Sequence, residues 1–144
     1  MKRCLNLLVG FLAVFTLQAI AQEHFTEGPV WRVTLVRVKP GQMDAYLTSL
    51  RQVSKPLLDE QKRQGMIMDY KVFFKETSSS PQDWDLALAI LYRNHAAMDG
   101  FTAKAEAVRD KILGGKQRDI QVGQQRAEIR EIVGSELMQE VTLK

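Results

Sequence analysis

The chain has one cysteine, Cys4, and two histidines, His24 and His95, among its 144 residues. Cys4 precedes the apolar run from Leu5 to Ala19 and is expected to leave with it. A chain without cysteine forms no disulfide, offers no thiolate nucleophile and builds no cysteine-ligated metal site. His-x-His and His-Glu-x-x-His spacings are missing as well, so no metal is assigned and no cofactor is called for. No Gly-rich phosphate loop, nucleophile elbow or ordered serine-histidine-acid set is present. Long runs of Lys and Arg are absent, which argues against nucleic acid or an anionic membrane surface as a partner. The longest apolar run, interrupted by Asn6, Gly10, Thr16 and Gln18, is shorter than the roughly 20 residues a spanning helix takes.

What that run does resemble is a secretory signal. Lys2 and Arg3 provide a positive start, and Ala19-Ile20-Ala21 supplies the small-x-small pattern read by a signal peptidase. Residues 1–21 are therefore expected to be a signal peptide, the mature chain starting near Gln22 in the periplasm or outside the cell, with no stable membrane insertion. Of 20 basic and 17 acidic side chains, only Lys2 and Arg3 fall in this segment, leaving 18 against 17, a mature balance of +1. The apparent basicity is largely an export tag. The remainder suits one domain that buries about two-thirds of its unfolded surface without staples.

Residues 22–29 read as a flexible leader, and 30–144 as the domain. Val30 to Lys39 is rich in β-branched residues and predicts a strand ended by Pro40-Gly41. From Gln42 to Gln64, Tyr46, Leu50, Val53, Leu57 and Gln61 recur three or four apart, an amphipathic helix. Pro56 removes a hydrogen bond inside it, so a kink or two helical pieces are expected. Met66 to Lys75 and Trp84 to Tyr92 predict strands joined by a polar loop, the second apolar on both faces and hence central. Asn94 offers an N-cap for a second helix running to Gly114-Gly115, weakened at Gly100 by roughly 1 kcal/mol relative to alanine. Lys116 to Gln125 is open between loop and short helix, and Arg126 to Val133 predicts a fourth strand, with a bulge or bend at Gly134.

The order β-α-β-β-α-β is the ferredoxin-like pattern: an α+β fold, a four-stranded antiparallel sheet with two helices on one face. The helices are expected to cover Trp31, Val33, Leu35, Met68, Tyr70, Val72, Leu86, Leu88 and Ile90. The open face would then carry Arg32, Thr34, Val36, Val38, Asp69, Lys71, Phe73, Ala87, Ala89, Leu91, Arg130 and Ile132. Such a face, apolar with paired charges, predicts a homodimer.

The Val38-Lys39-Pro40-Gly41 turn running into Gln42-Met43-Asp44-Ala45-Tyr46 resembles the start of many dimeric α/β-barrel proteins, among them antibiotic-biosynthesis-monooxygenase-like and NIPSNAP-like proteins. The resemblance implies two sheets closing into a barrel between subunits, with a ligand cleft between sheet and helices of each. The haem-degrading branch relies on an Asn on the first strand and a Trp and a His on the second helix. This chain has Trp31, Arg32 and Thr34 on the first strand, no Trp on the second helix, and His95 at that helix's start.

His95 is the candidate acid-base residue, since imidazole titrates near neutrality; the alternative is a solvent-facing histidine in a first helical turn. Tyr46, Tyr70, Trp84 and Tyr92 are candidates to line a ligand cleft, or else core residues whose polar tips find partners. Arg32 and Lys71, with Asp69 and Arg130, would bind an anionic substrate or form an ion-pair network at the dimer seam. The expectation is an exported homodimeric protein binding a small, partly apolar molecule. A cofactor-independent monooxygenase-like enzyme and a non-catalytic structural or accessory envelope protein are the alternatives.

Overall fold

The computed structural model describes residues 24–144; the expected signal peptide and the first two leader residues lie outside them. Four strands, β1 (Phe25–Val38), β2 (Asp69–Phe74), β3 (Leu86–Tyr92) and β4 (Arg130–Leu143), form one sheet in the order β2-β3-β1-β4. Every pairing is antiparallel. That is the ferredoxin-like arrangement, and in the single chain the sheet is open.

Between β1 and β2 the chain is helical from Met43 to Arg63, as α1 (Met43–Ser49), a π turn (Leu50–Ser54) and α2 (Lys55–Arg63). The Lys55 amide donates to the Leu50 carbonyl, five residues back. Pro56 sits in the first turn of α2, where its missing N–H costs least. The two helical pieces expected from Pro56 are thus joined by a widened turn. Beyond β3, the Asn94 side chain accepts from the Ala97 amide at 3.0 Å and caps a 3₁₀ turn (His95–Met98). Gly100, at φ 65°, then lets the chain turn into α3 (Phe101–Leu113).

Three expectations need correction. First, Lys116 to Ile129 is a full helix, α4. Val122, Arg126 and Ile129 turn inward with helical spacing, and the Gln, Ala and Glu between them are strong helix formers. The fourth strand therefore starts only at Arg130. Second, the described part of the leader is strand: Phe25, Thr26 and Glu27 pair with Leu143, Thr142 and Val141. A bulge between Glu27 and Val30 takes up Pro29, which cannot donate to a ladder. Gly28 lies so close to β4 that a Cβ there would meet the Glu140 carbonyl oxygen at 3.0 Å.

Third, β1 and β4 present the opposite faces from those expected. Trp31, Val33 and Leu35 stand opposite Leu91, Ala89 and Ala87, on the helix-free face. Arg32, Thr34 and Val36 stand opposite Ile90, Leu88 and Leu86, and Val36 and Val38 pack with Tyr46 and Leu50 under the helices. Arg130 and Ile132, opposite Val38 and Val36, follow them. Both sides of β1 carry apolar residues, so pattern alone did not fix its register, and a shift of one residue exchanges the faces. Asp69, Lys71, Phe73, Ala87, Ala89 and Leu91 lie on the open face as expected. The expected bend at Gly134 is a bulge, the ladder stepping from Leu35–Gly134 to Val36–Ile132.

Val30, Val36, Leu86 and Tyr92 are the large side chains most fully withdrawn from water. At about 25 cal/mol per Å² of apolar area, each such side chain contributes on the order of 2 kcal/mol to folding.

Candidate functional site

The helix from Met43 to Arg63 packs on β3, Tyr46 and Leu50 on Leu86 and Leu58 on Ile90, and leaves much of the edge strand β2 uncovered. Val72 stays 40% exposed and Phe74 55%. A groove of about 340 Å³ opens there, lined by Leu47, Leu50, Ser54 and Leu58 from the helix and Tyr70, Val72 and Leu88 from the sheet. Arg51 and Lys55 also line it. Two of these residues, Leu50 and Ser54, bound the π turn, whose extra residue per turn re-aims side chains; such turns are frequent at functional sites.

Arg126 of α4 braces that turn from the other side. Its guanidinium donates to the Ser49 hydroxyl at 2.9 Å, the Ser49 carbonyl at 3.2 Å and the Ser54 hydroxyl at 2.7 Å. Burial pushes the Arg126 guanidinium below its ordinary pKa, opposed by Tyr46 and reinforced by Arg130. At the groove's mouth, Asp59 accepts from the Tyr70 hydroxyl and from the Lys55 ammonium, each at 2.6 Å. Lys55 first, then Tyr70, holds the Asp59 carboxyl below the usual carboxylate range. Tyr70 is raised, mainly by burial and next by its bond to Asp59. The result is a chain of polar groups, largely neutralised among themselves, beside an aliphatic trough.

The sequence candidates separate. Tyr70 lines the groove. Tyr46 is buried beneath α1 among Val36, Val38, Leu50 and Leu86, its hydroxyl pKa raised by burial against the opposing charges of Arg130 and Arg126. Tyr92 is fully buried and meets Phe101 edge-on at 5.2 Å. Arg32 stacks over both rings, at 5.3 Å and 5.6 Å. The Tyr92 hydroxyl has no hydrogen-bond partner among the described residues, and burial raises its pKa.

Trp84 and Lys71 belong to the other face, where Lys75 lies over Trp84 and Lys71 over Trp31. The expected network of Arg32, Asp69, Lys71 and Arg130 is not assembled. Arg32 and Arg130 are across the sheet, and Asp69 pairs with Lys62 at 2.7 Å. His95 is exposed in the 3₁₀ turn and is not among the groove's lining residues. Among the described residues no group of three or more His, Cys, Asp or Glu could hold a metal ion.

Sequence reasoning missed Arg51, Lys55, Asp59 and Ser54. The available signal was their four-residue spacing through Arg51, Lys55 and Asp59, together with the awkward Pro56 that marks the break in the helix.

The helix-free face is dished. Ala87 and Ala89 form its floor, 3% and 1% exposed, and Val33 lies beside them. Trp31, Leu35 and Trp84 pack around that floor. Phe73 and Met138 remain 49% and 47% exposed at its sides. A hollow of about 300 Å³ is bounded by Val33, Leu35, Phe73, Trp84, Ala87, Glu136 and Met138.

No protein-family model matches this chain, and no curated protein matches it. Among solved structures it is similar to HapK from Hahella chejuensis, with a TM-score of 0.52 and 12% identity over 77% of this chain and 91% of that one. A NIPSNAP family protein of unknown function from Agrobacterium tumefaciens str. C58 has a TM-score of 0.48 and 13% identity, over 81% and 88% of the two chains. A dimeric protein of unknown function with a ferredoxin-like fold, from Bacteroides fragilis NCTC 9343, has a TM-score of 0.41 and 13% identity, over 83% and 99%. The fold is ferredoxin-like. Chemistry does not travel with a fold at such identities.

Proposed function

We propose that this is an exported protein acting as a homodimer, with two helix-free sheets packed into an α/β barrel. Each subunit holds a small, partly apolar molecule in the groove between the 43–63 helix and strands β2 and β3. The observation that carries the dimer is the open face: Trp31, Leu35, Phe73, Leu91 and Met138 surround an alanine floor with no element of the described residues over them. Large exposed apolar patches of this kind mark association surfaces. The groove supports the binding reading, since its volume is at the lower end for small-molecule sites and its lining is aliphatic with polar groups at the mouth. Turnover by His95 would require that side chain to reach the ligand, and it stands outside the lining. Binding is therefore the reading adopted.

Sedimentation equilibrium tests the assembly: a mass of two subunits is expected at micromolar concentration, and a monomer there removes the barrel. Fractionation of the exporting host with N-terminal sequencing tests export. An intact Met1 in the cytoplasmic fraction would discard it.

A further inference from the structure

The groove's polar mouth is unevenly charged. Lys55 and Asp59 neutralise each other at 2.6 Å, and the Tyr70 hydroxyl completes the acceptor side of Asp59. Arg51, one turn earlier on the same stripe, lines the groove but has no hydrogen bond or ion pair among the described residues. One uncompensated guanidinium thus stands over an aliphatic trough. Among the described residues no carboxylate is in the lining of that trough. A guanidinium offers planar paired donors that fit a carboxylate in two-pronged fashion. An apolar cavity of 150 Å³ takes benzene, so by proportion the 340 Å³ groove takes a body of about a dozen non-hydrogen atoms.

We propose that the groove binds a monocarboxylate amphiphile of this size, its chain or ring along Leu47, Leu50, Leu58, Val72 and Leu88 and its acid group on Arg51. This rests on the reading of the groove as a small-molecule site and adds the chemical class of the occupant. A neutral body of the same length satisfies the trough and leaves Arg51 unpaired. A cationic amphiphile meets repulsion at the mouth.

Isothermal titration of the purified protein with decanoate, 1-decanol and decyltrimethylammonium tests it. Decanoate is expected to bind at least about tenfold tighter than decanol, with the cation weakest. Arg51→Gln should erase that margin for decanoate and leave decanol unchanged. Val72→Trp, at a half-exposed edge position, should fill the groove and remove both while keeping the subunit number. Equal affinities for decanoate and decanol, or an Arg51→Gln variant that binds decanoate as well as the parent, overturn the acid-head assignment and leave the apolar site standing. Failure of all three probes overturns the binding reading together with this proposal. Decanoate binding that survives Val72→Trp, or a change in subunit number in that variant, places the molecule elsewhere or puts a second copy of the chain in the groove; either result overturns it. Should Val72→Trp not fold, the Arg51→Gln comparison decides alone.

Discussion

The two faces of the sheet are made from the same four strands yet close themselves off from water in different ways. Under the helices, Leu86, Tyr92 and Val36 are sealed by side chains from α1, α2, α3 and the π turn. On the other face, Val33, Ala87 and Ala89 reach similar burial with no covering layer among the described residues, because Trp31, Leu35 and Trp84 pack against them. Small residues in the middle and large ones around them make a dish. The first face is a finished core, whereas the second leaves large apolar side chains in water. Low exposure of one residue thus leaves open whether its face is complete; Phe73 and Met138, half exposed at the dish's sides, mark this one as unfinished.

That contrast can be broken from either side. Leu86→Ala, on the sealed face, should lower folding stability by about 3 kcal/mol, because a cavity remains where neighbours cannot collapse; urea denaturation reads it, and a loss below 1 kcal/mol would mean this core is looser than described. Phe73→Glu, on the dish, should leave the fold's circular dichroism intact and raise the dissociation constant of the proposed dimer on the order of 100-fold, by placing an unpaired charge in the proposed seam. An unaltered sedimentation profile would show that the dish is not where copies meet. Arg126→Ala should cost about 2 kcal/mol, since three charge-assisted contacts to Ser49 and Ser54 go at once. Hydrogen exchange should speed up first in the π turn; protection unchanged there would relieve Arg126 of its bracing role. The smallest effect belongs to Tyr92→Phe. Its hydroxyl is buried without a partner among the described residues, so removing it should be neutral or stabilising by up to about 1 kcal/mol. A clear loss of stability would reveal a partner that only the native assembly or a bound molecule supplies.

The fold class was legible because β3 is apolar on both faces and the 42–64 segment repeats at helical spacing, which left few alternatives to a central strand beneath a helix. The register of β1 was not. Val30, Val36 and Val38 on one side and Trp31, Val33 and Leu35 on the other are near equals in hydrophobicity, and what decided between them was cross-strand pairing with β3. Arg32 looked like an outward residue, yet it is accommodated under the helices by stacking on Tyr92 and Phe101. Helix α4 was hidden for a related reason: it buries only a thin stripe around Val122, and its polar remainder has no apolar period to read. The groove depends on where the long helix departs from an edge strand, a tertiary relation with no local signature. Pro56 and the four-residue spacing of Arg51, Lys55 and Asp59 only hinted at it.

The widened turn at Leu50–Ser54 has one more implication, for lineage. Five residues occupy a span that ordinary helix would cover with fewer, so loss of a single codon there would restore regular winding. Residues of α2 downstream would keep their face, and only the side chains inside the turn would be re-aimed, Leu50, Arg51 and Ser54 of the trough's lining among them. Chains that keep the extra residue can keep the trough, and chains that shed it would retain the architecture while losing the cleft. A one-residue length difference at this point is therefore the place to look when separating relatives that share the shape from those that share the task.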